Sequence, residues 1–117
     1  MLLVFGDGSL DGYCAIAYAR WELMDGSVEC HLILCKSRVT PRKKISIPRI
    51  ELMGSLMAIR LAKKICDTFQ FQFSETHFFT DSSAVLGMLH CDSVTFQEFV
   101  GNRVSEIKNR SSVKQWS

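Results

Sequence analysis

The sequence has few prolines, tyrosines and tryptophans, and it lacks a large excess of charge of either sign. Its 117 residues include two of each of these three types, and 14 basic against 12 acidic residues give a net charge of +2. Such a balance does not by itself imply a nucleic-acid partner. The 47% hydrophobic content excludes a disordered chain. We therefore expect residues 1–117 to form a single domain, because a second one would not fit.

The sequence also lacks any C-x-x-C pair and any long hydrophobic run. The apolar run at residues 2–5 stops at Gly6-Asp7, far short of a signal peptide or a membrane span. We predict an intracellular protein with no membrane partner and reduced, mostly buried thiols. The five thiols are Cys14, Cys30, Cys35, Cys66 and Cys91. A zinc site that uses His31 and His90 is the alternative, although no recognisable ligand spacing supports it.

Three apolar runs in the first third of the chain predict β-strands. Residues 2–5 fit a central strand buried on both faces. Residues 13–22 and 28–36 flank an Asp25-Gly26 turn signal, which predicts an antiparallel hairpin. The second strand of the hairpin carries its apolar residues on one parity: Val28, Cys30, Leu32 and Leu34.

The rest of the chain predicts one long helix, a fourth strand and two shorter helices. Residues 37–47 are polar and basic and predict a loop, after which Pro48 suits the first turn of a helix that runs to about Phe69. Small residues on that helix would allow close approach to a sheet: Gly54, Ser55, Ala58 and Ala62. Residues 76–80 predict a strand, 83–90 and 95–109 predict helices, and 113–116 predict the opening of another strand.

This order of elements predicts an α/β fold with a mixed sheet. The first three strands can form an antiparallel meander, and the fourth can join parallel to the first through the helical crossover, which should be right-handed. Helices would then pack on the sheet.

Carboxylates follow the first and fourth predicted strands, as Asp7 and Asp81. Parallel neighbours would bring these two together, and Glu51 comes from the first turn of the crossover helix. Three clustered carboxylates repel one another and are tolerated mainly when divalent cations lie among them, and oxygen ligands suit Mg²⁺ or Mn²⁺. For Glu51 alone, a favourable interaction with the helix dipole is the simpler explanation.

Three ordered motifs resemble those of ribonuclease H. They are Asp7-Gly8-Ser9 with Gly12-Tyr13-Cys14-Ala15, Arg49-Ile50-Glu51-Leu52-Met53, and Phe79-Thr80-Asp81-Ser82. Further segments narrow the resemblance to the ribonuclease H-like region of BEL/Pao retrotransposon polyproteins, and they cover essentially the whole chain. These segments are Cys35-Lys36-Ser37-Arg38-Val39, Lys44 to Leu52, Val85-Leu86-Gly87, Phe99 to Val104, and Gln115-Trp116.

The resemblance implies a metal-dependent endonuclease that cuts the RNA strand of RNA–DNA hybrids. Asp7, Glu51 and Asp81 would be its catalytic residues and metal ligands, holding two Mg²⁺ or Mn²⁺ ions. The implied partners are the hybrid, reverse transcriptase and other polyprotein segments, in a cytoplasmic particle or the nucleus. The residues expected to contact substrate are Ser9, Lys43, Lys44, Arg49 and Ser82. For the two serines, helix capping or water binding is expected in preference to attack on the substrate.

Ribonucleases H usually have a fourth carboxylate, an aspartate on a helix after the last strand. In the BEL/Pao relatives it follows the Gln-Trp pair, and this sequence has no such segment after Gln115-Trp116. We therefore expect the last strand end and the C-terminal helix to be missing, in either a fragment of a polyprotein or a degenerate copy. Residues 1–117 alone would then cleave weakly or not at all. The alternative function is a catalytically silent module with a structural or connecting role.

Overall fold

The computed structural model describes residues 1–40, 45–69, 73–91 and 97–117. Within them lie four strands, three α-helices and a short 3-10 turn at Val113–Gln115. The strands are β1 (Leu2–Gly8), β2 (Gly12–Glu22), β3 (Val28–Val39) and β4 (Thr76–Thr80). The helices are α1 (Ile47–Phe69), α2 (Ser83–His90) and α3 (Glu98–Arg110). The predicted sequence of elements is confirmed as far as Arg110.

The four strands form one mixed sheet in the order β3-β2-β1-β4. β1 pairs antiparallel with β2 and parallel with β4, and β2 pairs antiparallel with β3. Gly26 has φ +86° in the β2–β3 turn, a conformation that glycine adopts without strain. The predicted meander with one added parallel strand is therefore confirmed.

The hydrophobic core lies between one face of this sheet and helix α1. Leu2, Val4, Ala15 and Ala17 point from β1 and β2 toward α1 and are fully buried. α3 closes the other side of α1 through Val100, Val104 and Ile107. In the described part of the chain, no helix is long and apolar enough to cross a membrane.

A β-bulge interrupts the pairing of β2 with β3. Ala17 pairs with Leu34 while the next residue, Tyr18, pairs with Leu32, so Ile33 is the extra residue. The bulge reverses which face the following side chains of β3 occupy. Consequently Val28, Cys30 and Leu32 lie on the sheet face away from α1, whereas Leu34 lies on the helix face. These four residues share one parity in the sequence, and the predicted strand is confirmed, but because of the bulge they do not share one face of the sheet.

The prediction that a strand opens at residues 113–116 was wrong for the first three of them. Residues Val113–Gln115 form a 3-10 turn, and only Trp116 makes an isolated parallel bridge, with Phe78. Ser112 caps the turn, and the Gln115 side chain accepts a hydrogen bond from the Ser112 N–H. These local hydrogen bonds favour the turn over an extended backbone.

The cysteines are free, as predicted, but they are not mostly buried. Cys30, Cys35 and Cys66 are exposed, and the other two are partly exposed. Cys30 and Cys35 lie on β3, an edge strand, and face away from α1, where no described element covers them.

Candidate active site

The carboxyl ends of β1 and β4 lie side by side. The parallel register runs from Leu2 opposite Thr76 to Gly6 opposite Thr80, so Asp7 and Asp81 are the next residues along both strands. Both are exposed, and both line an open cavity of about 720 Å³. The Gly8 N–H donates to Asp7 Oδ1 at 2.9 Å. The predicted proximity of the two strand ends is present in the structure.

Aromatic rings form the apolar wall of this cavity. Phe5 stacks on Phe79 with centroids 4.8 Å apart, and Phe5 meets Tyr18 edge to face at 5.9 Å. Phe5 precedes Asp7 by two residues and Phe79 precedes Asp81 by two, so these rings and carboxylates share the sheet face opposite α1. The cavity thus combines a flat apolar surface with two acidic groups at its end.

Glu51 approaches the same strand end from the helix side. A methyl group on Gly8 would lie 2.7 Å from the Ile50 carbonyl oxygen and 2.9 Å from the Glu51 Cα. A methyl group on Gly54 would lie 2.5 Å from the Asp7 carbonyl oxygen. Because neither glycine has a side chain, the first turns of α1 rest directly on the backbone that carries Asp7.

Asp7 and Glu51 start from opposite faces of the sheet, so their carboxylates can converge only beyond the end of β1. Among the described residues, no group of three or more histidine, cysteine, aspartate or glutamate side chains is arranged to hold a metal ion. The oxygen donors of Asp7 and Asp81 are the type that Mg²⁺ and Mn²⁺ prefer. The assignment of Asp7, Glu51 and Asp81 as ligands stays a prediction.

Cys14 is a neighbour of the site that the sequence did not single out. It pairs with Asp7 across β1 and β2 and lines the same cavity. Burial, and then the negative charge of Asp7, raise the pKa of the Cys14 thiol, which favours its neutral form. Counting residues outward along both strands from the Ser9–Gly12 turn would have predicted this pairing.

The two serines expected near the substrate both make local hydrogen bonds. Ser9 donates its N–H to the Gly12 carbonyl at 2.7 Å and its hydroxyl to the same oxygen at 3.3 Å, which closes the β1–β2 turn. Ser82 is buried and accepts from the Val85 N–H at 3.1 Å as the N-cap of α2. The capping role expected for Ser82 is confirmed, whereas Ser9 stabilises a turn.

Arg49 lies between the first turns of α1 and α3. Its guanidinium donates to Gln97 Oε1 at 3.1 Å and lies 5.1 Å from the centre of the Phe99 ring. Neither partner carries a negative charge, and Arg49 precedes Glu51 by two residues in α1. Lys43 and Lys44, the other basic residues expected to contact substrate, lie outside the described residues.

Comparisons with known proteins agree with this architecture. The N-terminal RNase H domain of rv2228c from Mycobacterium tuberculosis, solved as a fusion with maltose-binding protein, has a TM-score of 0.68 at 14% identity, over 98% of this chain and 81% of that one. An Aquifex aeolicus protein of the Ppx/GppA family has a TM-score of 0.36 at 17% identity, over 73% of this chain and 27% of that one, too low to indicate a shared fold. No curated protein matches the sequence.

A family model gives the assignment. The model described as the Pao retrotransposon-like RNaseH-like domain matches residues 1–82, which include Asp7, Glu51 and Asp81. That match spans more than half of the 117 residues, and the fold agrees with that of an RNase H domain. The chain therefore belongs to the Pao retrotransposon-like RNaseH-like domain family.

Proposed function

We propose that this chain is the ribonuclease H module of a retrotransposon polyprotein, and that it cleaves the RNA strand of RNA–DNA hybrids with the help of divalent metal ions. The observation that carries the proposal is the position of Asp7 and Asp81, exposed at adjacent strand ends and lining one open cavity. Exposed carboxylates placed so closely repel one another, and a bound cation would offset that repulsion.

The residues at this edge of the sheet would have different roles. Asp7 and Asp81 would present oxygen ligands from the sheet, and Glu51 would present a third from α1, with Asp7 oriented by the Gly8 N–H. Two divalent ions held there would supply an activated water and stabilise the leaving oxygen of the phosphodiester. The close contact of α1 with Gly8 would keep the edge rigid, as positioning of reacting groups requires.

Substrate recognition would rest on the backbone of the hybrid and not on its bases. The guanidinium of Arg49, hydrogen-bonded only to the neutral Gln97 amide among the described residues, is suited to a phosphate beside Glu51. Lys43 and Lys44 would add charge in the preceding segment, and the exposed Ser9 would contact sugar or phosphate oxygens, whereas the buried Ser82 would support the site only as the N-cap of α2. Such contacts would read the shape and 2′-hydroxyls of the hybrid.

The polyprotein would place this module beside reverse transcriptase, inside the cell in a particle or the nucleus. There it would remove the RNA template after copying. The family membership supports the polyprotein context.

The test is a gel assay of a hybrid labelled on its RNA strand. With Mg²⁺ or Mn²⁺ and near-stoichiometric protein, we expect slow cleavage of the RNA strand, and none in the presence of a chelator. Asp7→Asn should abolish cleavage, whereas Asp11→Asn, which removes the same charge from an exposed residue of the nearby turn, should retain it. Hybrid binding without cleavage would instead identify a catalytically silent module.

A further inference from the structure

A second surface concentrates positive charge away from the carboxylate edge. It is a groove of about 400 Å³ between β3, α1 and α3. We call it the β3–α1 groove. Its polar rim contains five basic side chains and one acidic one: Lys36, Arg38, Arg60, Lys64, Arg103 and Glu106.

The bulge at Ile33 directs two of these side chains into the groove. Lys36 pairs with Ala15 and Arg38 pairs with Tyr13, and both partners face α1. Without the extra residue, Lys36 and Arg38 would lie on the same face of the sheet as Leu32, which is the face away from α1. Bulges commonly re-aim side chains in this way next to functional sites.

The single acidic residue of the groove is already neutralised. Glu106 accepts two hydrogen bonds of 3.0 Å from Arg60 and lies 3.8 Å from Arg110. Arg103 stacks 3.7 Å from the centre of the Phe99 ring and donates to the Phe99 carbonyl. Among the described residues, no carboxylate pairs with Lys36, Arg38 or Lys64. The groove therefore has an uncompensated positive charge.

The floor of the groove is partly apolar, and among its described apolar side chains only Tyr13 and Met53 are partly exposed. Met57 and Leu61 line it but are only 7% and 2% exposed, because they pack into the core. A peptide would need exposed apolar pockets for its side chains, whereas a sugar-phosphate backbone needs only a row of cations. The basic side chains of the rim therefore favour a sugar-phosphate backbone as the ligand.

The groove adjoins a smaller cavity at the end of β1 that includes Asp7. Tyr13 and Arg38 line the groove and also line this smaller cavity, which contains Asp7 and Ser9. A nucleic-acid strand that passes the carboxylates can therefore extend along β3 without leaving the protein surface.

We propose that the β3–α1 groove binds the phosphodiester backbone of the RNA–DNA hybrid next to the segment that is cleaved. The identity of this ligand rests on the proposed function. Lys36, Arg38 and Lys64 bind the phosphates, and Arg103 adds a fixed charge beside them. The groove thereby increases affinity and sets the path of the duplex, without contributing a catalytic group.

The experiment measures binding of a fluorescein-labelled RNA–DNA hybrid by fluorescence anisotropy, over a series of salt concentrations and in EDTA, so that no metal site contributes. The groove variant is Lys36→Ala/Lys64→Ala. The matched control is Lys63→Ala/Lys114→Ala, which removes the same charge from exposed residues outside the groove. Thermal melts verify that both variants fold.

We expect the groove variant to bind roughly tenfold more weakly than the parent. The slope of log K against log salt should fall by about 2, because each of the two lysines neutralises one phosphate, while the control keeps the parent slope. Equal changes in the two variants, or no binding by the parent in EDTA, would overturn the inference. Cleavage of the RNA strand in Mg²⁺ is measured separately. If the groove variant binds the hybrid more weakly but the parent never cleaves it, only the proposed function is contradicted.

Discussion

At the scale of single residues, the candidate site depends on two glycines as much as on its carboxylates. Gly8 and Gly54 allow α1 to touch the backbone of β1, and that contact places the first turns of α1 against the backbone that carries Asp7. The sequence predicted it, because small residues recur along one side of α1. It could not predict the pairing of Arg60 with Glu106, since 46 residues separate them and only the packing of α3 on α1 brings them together.

Gly54→Ala tests the helix–strand contact. The added methyl group would lie 2.5 Å from the Asp7 carbonyl oxygen, so either the helix or the strand must move. We expect a loss of roughly 1–3 kcal/mol in the free energy of unfolding, measured by urea denaturation. Gly87→Ala is the control, because that helical glycine has no heavy atom within 4 Å of an added methyl. It should stabilise the protein by about 0.5–1 kcal/mol. Equal effects at the two positions would refute the contact.

The ion pair between Arg60 and Glu106 should depend on pH. The hydrogen bonds from Arg60 lower the pKa of Glu106 below its usual 4.5. Because the folded-state pKa is lowered, the ion pair stabilises the fold at pH values above the unfolded-state pKa. This contribution disappears as the pH falls through the folded-state pKa. The Arg60 side chain is 60% exposed, so the contribution should stay below about 1 kcal/mol.

A double-mutant cycle with Arg60→Gln and Glu106→Gln measures this interaction. Unfolding by urea should give a favourable coupling energy at neutral pH and none in strong acid. A coupling energy that is the same at both pH values would show that packing, and not charge, joins the two side chains.

At the scale of secondary structure, the limits of prediction are clearest at β3. The turn at Gly26 and the pairing of β2 with β3 followed from local signals. The bulge at Ile33 did not, because nothing in the alternation of β3 marks the residue that is left unpaired. The bulge decides which face of the sheet receives Lys36 and Arg38, and the proposed binding groove depends on that face.

The N-cap of α2 links element stability to the site. Ser82 follows Asp81 directly, and its hydroxyl accepts the Val85 N–H. Ser82→Ala should therefore cost about 1 kcal/mol in urea denaturation. Ser83→Ala, at the exposed first residue of the helix, should cost much less. A comparable loss at both serines would mean that the cap does not hold the helix end.

At the scale of the whole molecule, the topology of the sheet determines where the candidate site lies. The crossover through α1 places β4 parallel to β1, so that Asp7 near the end of one strand and Asp81 directly after the other lie at the same edge of the sheet. This much could be read from the order of elements, because parallel neighbours share one carboxyl edge. The direction of the Glu51 side chain could not be predicted from that order, because it depends on how the helix packs.

The central claim, that these carboxylates bind divalent metal, is tested most directly by thermal melting with and without millimolar Mn²⁺. Binding to the folded state alone should raise the melting temperature of the parent and of Asp11→Asn. Asp81→Asn should melt at or above the parent temperature in EDTA, because charge repulsion is relieved, and should respond weakly to Mn²⁺. Melting curves that Mn²⁺ leaves unchanged in the parent, or shifts equally in Asp81→Asn, would contradict the account.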